Sequence, residues 1–234
     1  MPHRGKFITI EGLDGCGKST QLKKLAQALH SEGFEVVVTR EPGGTETGEK
    51  IRKVLLDTGT ANLSPFAELA LMFASRAQHL KEVIQPALSA GKTVLCDRFT
   101  DSTEAYQGGG RKLGSQPVSQ LHRILCGPIQ PDLTIFMDSD IGASVQRARR
   151  RNSSRHHGKR GSGDESRFEQ ESRTFFGRVR NAYLAIAERE PHRVAVVNAR
   201  GPADETHQQI LSLVKKKLKL AANKREGSTS DPPE

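Results

Sequence analysis

Five short runs of the chain are almost wholly apolar: KFITI (residues 6–10), EVVVTR (35–40), KTVLCDR (92–98), DLTIFMD (132–138) and RVAVVNA (193–199). Each is bounded by charged or turn-forming residues and none alternates polar with apolar, which is the pattern of strands buried on both faces of a parallel sheet. Between them the apolar positions recur every three or four residues, the period of a helix with one buried face. Leu22, Leu25, Ala26 and Leu29 mark the first such helix, and similar spacing covers about 46–57, 65–90, 116–125, 141–151, 166–190 and 203–220. Strand and helix therefore alternate. This predicts a single α/β domain over residues 1–222, a five-stranded parallel sheet with helices on both faces. Two stretches break the rhythm: NSSRHHGKRGSGDES (152–166), polar and Gly/Ser-rich, reads as a mobile loop, and residues 223–234 read as a disordered tail.

The turn between the first strand and the first helix carries chemistry. Gly12 to Ser19 fits GxxxxGK[ST], and its place after a strand and before a helix makes the fold an αβα sandwich of the P-loop type. Gly12, Leu13, Asp14, Gly15, Cys16, Gly17, Lys18, Ser19 and Thr20 form the expected ATP cradle, in which backbone N–H groups and the helix N-terminus face phosphate. Lys18 supplies charge to the outer phosphates, and the Ser19 hydroxyl is an expected ligand for Mg2+. The reaction is left open by this loop alone. A guanine-specific switch protein is disfavoured, because the NKxD element of such proteins follows a late strand, whereas the chain's NK dipeptide, Asn223-Lys224, sits in the polar tail and is followed by Arg225-Glu226. A motor-type ATPase would close a strand with two acids; here Asp97 is followed by Arg98, which suggests a magnesium ligand beside an anion clamp.

Charge sharpens the picture. The chain has 36 Lys+Arg against 27 Asp+Glu, a net charge of +9, which suits either nucleic acid or a polyanionic small ligand. Six arginines, one lysine and no acid lie between Arg147 and Arg160, so the excess is concentrated there. No apolar run approaches the roughly 20 residues of a membrane helix, and the polar start runs directly into a strand, so a soluble cytoplasmic protein is expected. Cys16, Cys96 and Cys126 have no CxxC spacing and read as reduced thiols.

Open α/β sheets bind ligands at the C-terminal ends of their strands. Those ends present Asp14, Arg40, Asp97 and Arg98, and two arginines on neighbouring loops can clamp one phosphate. Arg40 is either part of that clamp or a surface charge, and Pro42-Gly43-Gly44 favours a turn that holds Arg40 and Glu41 inward.

TREPGGT (39–45), FASRAQH (73–79), DRF (97–99) with STEAYQGGGR (102–111), and RFEQES (167–172), together with the P-loop, resemble the thymidylate kinase family over nearly the whole chain to about residue 220. The resemblance implies phosphorylation of dTMP by ATP with Mg2+, in a homodimer for which the apolar helix at 65–90 is a plausible interface. It implies that Asp14 accepts a hydrogen bond from the deoxyribose 3'-hydroxyl. It implies also that Tyr106 occupies the place of a ribose 2'-hydroxyl, although a packed core aromatic is the competing role. Ser102 and Gln107 are candidate nucleotide contacts, with Gly108-Gly109-Gly110 turning the loop sharply. For the base, Phe73 is expected to stack and Arg76 to bond its carbonyl edge; the common family spacing places Phe four residues before the arginine, where Met72 stands here.

No basic residue lies between Gly12 and Gly17, and the resemblance places the catalytic arginine in a lid at about 145–170. Arg147, Arg149 and Arg151 match its start, and Arg167-Phe168-Glu169 its end. Arg149 and Arg151 rank above Arg155 and Arg160 as the group reaching the phosphates, and Glu169 is expected only as an acceptor or a lid contact. The competing readings are another nucleoside monophosphate kinase and a nucleic-acid-dependent ATPase using this basic stretch and Lys215–Lys219; nucleic acid is the less expected partner.

Overall fold

A computed structural model describes residues 4–156 and 167–218. Five strands, β1 (Phe7–Glu11), β2 (Val36–Arg40), β3 (Thr93–Asp97), β4 (Leu133–Asp138) and β5 (Val194–Asn198), form one sheet in the order β2-β3-β1-β4-β5. Every pairing is parallel. The register sets Asp97 opposite both Ile10 and Arg40, Glu11 opposite Phe136, and Asp138 opposite Asn198. All the chemistry-bearing strand ends consequently emerge along one edge.

Helix α1 (Lys18–Ser31) buries the expected stripe of Leu22, Leu25, Ala26 and Leu29 against Ile8, Ile10 and Leu95 of the sheet and against Ile210 and Val214 of α9 (Ala203–Leu218). Each such side chain contributes about 1.5–3 kcal/mol of burial. On the opposite face, α2 (Glu46–Leu56), α3 (Pro65–His79), α4 (Gln85–Ser89), α5 (Thr100–Thr103) and α6 (Ser115–Leu125) precede β4, while α7 (Ile141–His156) and α8 (Arg173–Arg189) follow it. Serine and threonine caps fix where these begin: Thr45 accepts from Gly48 N at 2.9 Å, Ser64 from Ala67 N at 3.2 Å just before Pro65, and Ser172 from Phe175 N at 3.1 Å.

Four expectations need correction. The edge strands β2 and β5 are only partly buried, with no residue of β2 fully buried and Val38 and Val196 about half exposed. The helix expected over 65–90 runs through a π-helical turn at Leu80–Ile84. Gly108–Gly110, expected to turn a loop sharply, instead lie in a π-helix over Glu104–Gly110 that continues α5. Its glycines serve close packing: a Cβ on Gly109 would lie 2.7 Å from Ala182 Cβ, and one on Gly110 2.6 Å from Phe175 Cε2. Finally α7 runs to His156, past the start of the expected loop, and α8 is preceded by a 3-10 turn at Phe168–Gln170. Residues 157–166 and 219–234, with their expected loop and tail, lie outside the described residues.

Candidate active site

A cleft of about 610 Å³ opens at the sheet edge, lined by the P-loop from Asp14 to Ser19 and by Arg40, Asp97, Arg98, Arg147, Arg151 and Arg200 among others. Helix α1 begins from Gly17, whose φ of 104° a side chain would strain, and no side chain caps it. Its first amides therefore face the cleft with the positive end of the helix dipole. Lys18 is buried with its ammonium folded over the loop, donating to Leu13 O at 3.0 Å and Gly12 O at 3.2 Å, and lying 3.8 Å from Asp14 Oδ1. Leu13 itself points away into the core beside Phe136 and Tyr183, so its side chain takes no part in the cleft.

Arg98 is the hub. Its φ of 76° lies in the left-handed region, unusual for a residue with a Cβ, and such strain is tolerated where surrounding contacts over-determine it. Arg98 N donates to Ile10 O at 3.1 Å, and Phe99 N to Glu11 Oε1 at 2.7 Å. The side chain reaches Asp14 Oδ1 (2.9 Å), Ser102 Oγ (2.9 Å), Tyr106 OH (3.3 Å) and Tyr183 OH (3.3 Å), with its charge 4.9 Å from the Tyr106 ring centre. Burial opposes this charge, but Asp14 together with Tyr106, Tyr183 and Asp97 outweighs it and Arg98 stays protonated. Burial likewise opposes ionisation of Asp14, yet Arg98 and Lys18 hold its carboxyl well below the ordinary range. Asp14, Arg98, Ser102 and Tyr106 are therefore brought together. Tyr106 is a packed core aromatic, its ring edge-on against Phe168 and Phe175, while its hydroxyl meets the arginine.

Ser19 Oγ lies 3.5 Å from Asp97 Oδ2, and Asp97 Oδ1 is buried without a hydrogen-bond partner. A hydroxyl and an orphaned carboxylate oxygen beside a phosphate loop fit magnesium, which takes most of its ligands from phosphate and water. No group of three or more His, Cys, Asp or Glu suited to a metal occurs among the described residues.

Other candidates sit elsewhere. Phe73 is wholly buried in the cluster of Phe7, Leu69 and Phe99, so its ring is not presented to a base; the neighbouring Met72 is partly buried against the separate cluster that holds Tyr106 and Phe168. Arg76 is buried, donating to Glu41 Oε2 at 2.6 Å and Thr103 Oγ1 at 2.9 Å, and its NH1 has no partner. Arg40 is on the exposed rim, bidentate to Glu49 at 2.9 and 3.1 Å, whereas Glu41 is the residue turned inward, bonded also to His79 Nδ1 at 2.9 Å. Gln107 donates to the buried Glu68 at 2.7 Å, leaving its own Oε1 orphaned. Glu68 also binds Arg111 and lies 2.7 Å from Arg167, tying the return of the lid segment to α3.

Along α7, Arg147 donates to Gly15 O at 2.8 Å, and Arg151, one turn on, also lines the cleft. Arg149 faces a separate outer pocket and donates to Glu169 O at 2.9 Å. Residues i and i+4 share a helix face and i+2 does not, so Arg147 replaces Arg149 in the cleft. The Arg155 side chain and all of Arg160 lie outside the described residues. Sequence reading overlooked Glu11 and Tyr183; the acid ending an apolar strand and the second of only two tyrosines were the available signals.

The thymidylate kinase family profile matches residues 10–210. A thymidylate kinase of Geobacter sulfurreducens is 48% identical over 202 residues, 86% of this chain and 92% of that one. That of Pseudomonas fluorescens (strain SBW25) is 46% identical over 217 residues, 93% and 98% of the two chains. The crystal structure of thymidylate kinase from Ehrlichia chaffeensis superposes with a TM-score of 0.70 at 32% identity, covering 91% of this chain and 99% of that one. With its phosphate loop, its acid–arginine pair and this similarity along nearly its full length, the chain belongs to the thymidylate kinase family.

Proposed function

We propose that the cleft holds ATP and dTMP tail to tail, with Lys18 and the P-loop amides on the donor phosphates and Arg98 on the acceptor phosphate. The observation that carries this reading is the contact between Asp14 and Arg98 at 2.9 Å, flanked by Ser102 and Tyr106. Asp14 serves the sugar hydroxyl and keeps Arg98 aimed, and the Tyr106 hydroxyl crowds the sugar. Arg40 swings from Glu49 to complete the clamp. The unpartnered NH1 of Arg76 and Oε1 of Gln107 supply a donor and an acceptor for the pyrimidine edge, and Met72 replaces Phe73 as the side chain beside it. Ser19 and Asp97 hold Mg2+, which when bound neutralises phosphate charge.

The acceptor phosphate oxygen forms a bond to the γ-phosphorus as the bond from that phosphorus to the β–γ bridging oxygen breaks, and ADP leaves with the electron pair. No general base is needed, because the attacking oxygen is already anionic near neutral pH. Arg151 and Arg147 neutralise the transferring group, a role worth about 10³–10⁵ in rate for arginines in other P-loop systems. The donor base lies toward Arg200 and Ala203 at the β5 end of the cleft. Among the described residues no helix is long and apolar enough to cross a membrane, and a cytoplasmic homodimer is proposed, with exposed Val54 and Phe66 of α2 and α3 in its interface.

A crystal of the complex with an ATP–dTMP bisubstrate analogue tests the placement. The thymidine phosphate is expected against Arg98 and Asp14; its appearance elsewhere would overturn the assignment. Rates with dTMP, dUMP, dCMP and UMP test the base, with dTMP clearly preferred.

A further inference from the structure

Glu11 ends β1, is wholly buried, and has no part in the phosphate contacts described above. Its two oxygens have separate partners. Oε1 accepts from Phe99 N at 2.7 Å, fixing the peptide that follows the left-handed Arg98. Oε2 accepts from the hydroxyls of Ser102 and, at 3.0 Å, of Tyr183. These same hydroxyls receive Arg98 NH1 at 2.9 and 3.3 Å. One carboxyl group thus restrains the arginine at both ends, its main chain through Phe99 and its guanidinium through two hydroxyls.

We propose that Glu11 is a positioning residue for the acceptor phosphate, orienting Arg98 through Ser102 and Tyr183, and that docking of a phosphate against Arg98 is coupled to uptake of a proton by Glu11. The inference rests on the assignment of Arg98 to the acceptor phosphate. The coupling follows from charge. Burial and the neighbouring Asp101 push Glu11 up to about 7, against the opposing pull of the Ser102 hydrogen bond and Arg98. Near neutral pH the carboxyl is therefore divided between its two forms. The groups facing it are Asp101 and Arg98 after β3, Cys96 within β3, and Tyr183 from α8. Asp101 is itself gripped by Arg193 at 2.6 and 2.9 Å, and Asp14 holds the other amino group of Arg98. A phosphate dianion on the far side of Arg98 adds negative charge and favours the neutral carboxyl. Protonated, Oε2 can donate to either hydroxyl, since both accept, and the network survives with its hydrogens reversed.

The test is calorimetry of dTMP binding at pH 7 in two buffers of different ionisation enthalpy, with wild type, Glu11→Gln, Tyr183→Phe and Arg98→Ala. Wild type should take up roughly half a proton more than Glu11→Gln, the phosphate's own titration being common to both. Between pH 6.5 and 8.5 the KM for dTMP should rise about three- to tenfold more in wild type than in Glu11→Gln, with the KM for ATP unchanged. Tyr183→Phe should keep the proton uptake and raise the KM for dTMP several-fold. If Arg98→Ala leaves dTMP affinity intact, the acceptor assignment is wrong and the coupling falls with it. If Arg98→Ala weakens dTMP binding while Glu11→Gln keeps the wild-type proton uptake and pH profile, the Glu11 inference alone is overturned. Should Glu11→Gln fail to fold, infrared difference spectra of wild type decide: dTMP should increase the protonated-carboxyl band, and no increase refutes the coupling.

Discussion

Arg98 NH2 lies 2.9 Å from Asp14 Oδ1, joining two residues 84 positions apart at the centre of the cleft. The pair fixes the arginine side chain and helps keep the acid ionised. Arg98→Ala is expected to raise the KM for dTMP about 100-fold, the loss of a charge-assisted clamp, while ATP affinity changes less than threefold. Equal losses for both nucleotides would contradict the acceptor role. Asp14→Asn should lower kcat/KM for dTMP by about tenfold or more, which steady-state kinetics measures.

Helix geometry separates the arginines of α7. Arg147→Ala and Arg151→Ala are expected to lower kcat by at least about 100-fold. Arg149→Ala should act on thermal stability and leave kcat within about threefold, because its guanidinium holds the Glu169 carbonyl outside the cleft. Single-turnover rates distinguish these; a larger kcat loss for Arg149 than for Arg151 would reverse the assignment.

Stability should carry the signature of Glu11. Its folded pKa of about 7 exceeds the ordinary 4.5, so the folded state binds more protons than the unfolded one between those values. Folding is therefore weakened as pH rises through that window, and the cost is complete above about pH 7. Glu11→Gln cannot ionise and escapes it. The stability of Glu11→Gln relative to wild type is expected to improve by on the order of 2–3 kcal/mol from pH 4.5 to 8, read from denaturant unfolding at each pH. A pH-independent difference would refute the shifted ionisation.

Gly110→Ala tests the packing of the π-helix. The new methyl would meet the Phe175 ring at 2.6 Å, an overpacking that costs about 1–3 kcal/mol. A Tm lower by about 2–8 °C is expected, together with weaker dTMP binding, since Tyr106 rides on the displaced segment. An unchanged Tm would show that α8 yields without strain.

Where pattern and physics coincide, the sequence is legible. The five apolar runs, the P-loop and the nearness of Asp14 to Arg98 follow from strand burial and from ligand binding at one sheet edge, whereas Ser102 and Tyr106 are reached only through the family resemblance. Three features escaped for physical reasons. Gly108–Gly110 looks like a turn because glycine is a turn former, yet here it is the absence of a side chain that matters, beneath Ala182 and Phe175. Phe73 and Met72 are neighbours on α3, and only tertiary packing decides which faces the core. Glu11 hides inside an apolar strand, its partners 88, 91 and 172 residues away.

The position of β1 in the middle of the sheet has a consequence for how such an enzyme can change. Arg40 and Asp97 stand at the ends of β2 and β3, whereas α7 and the Arg200 connection issue from β4 and β5. On the placement proposed above, groups reading one nucleotide are carried by a different half of the scaffold from those reading the other. Remodelling the β5–α9 turn should retune which triphosphate is accepted while thymine selection persists, with Lys18 the hinge between two separately adaptable halves.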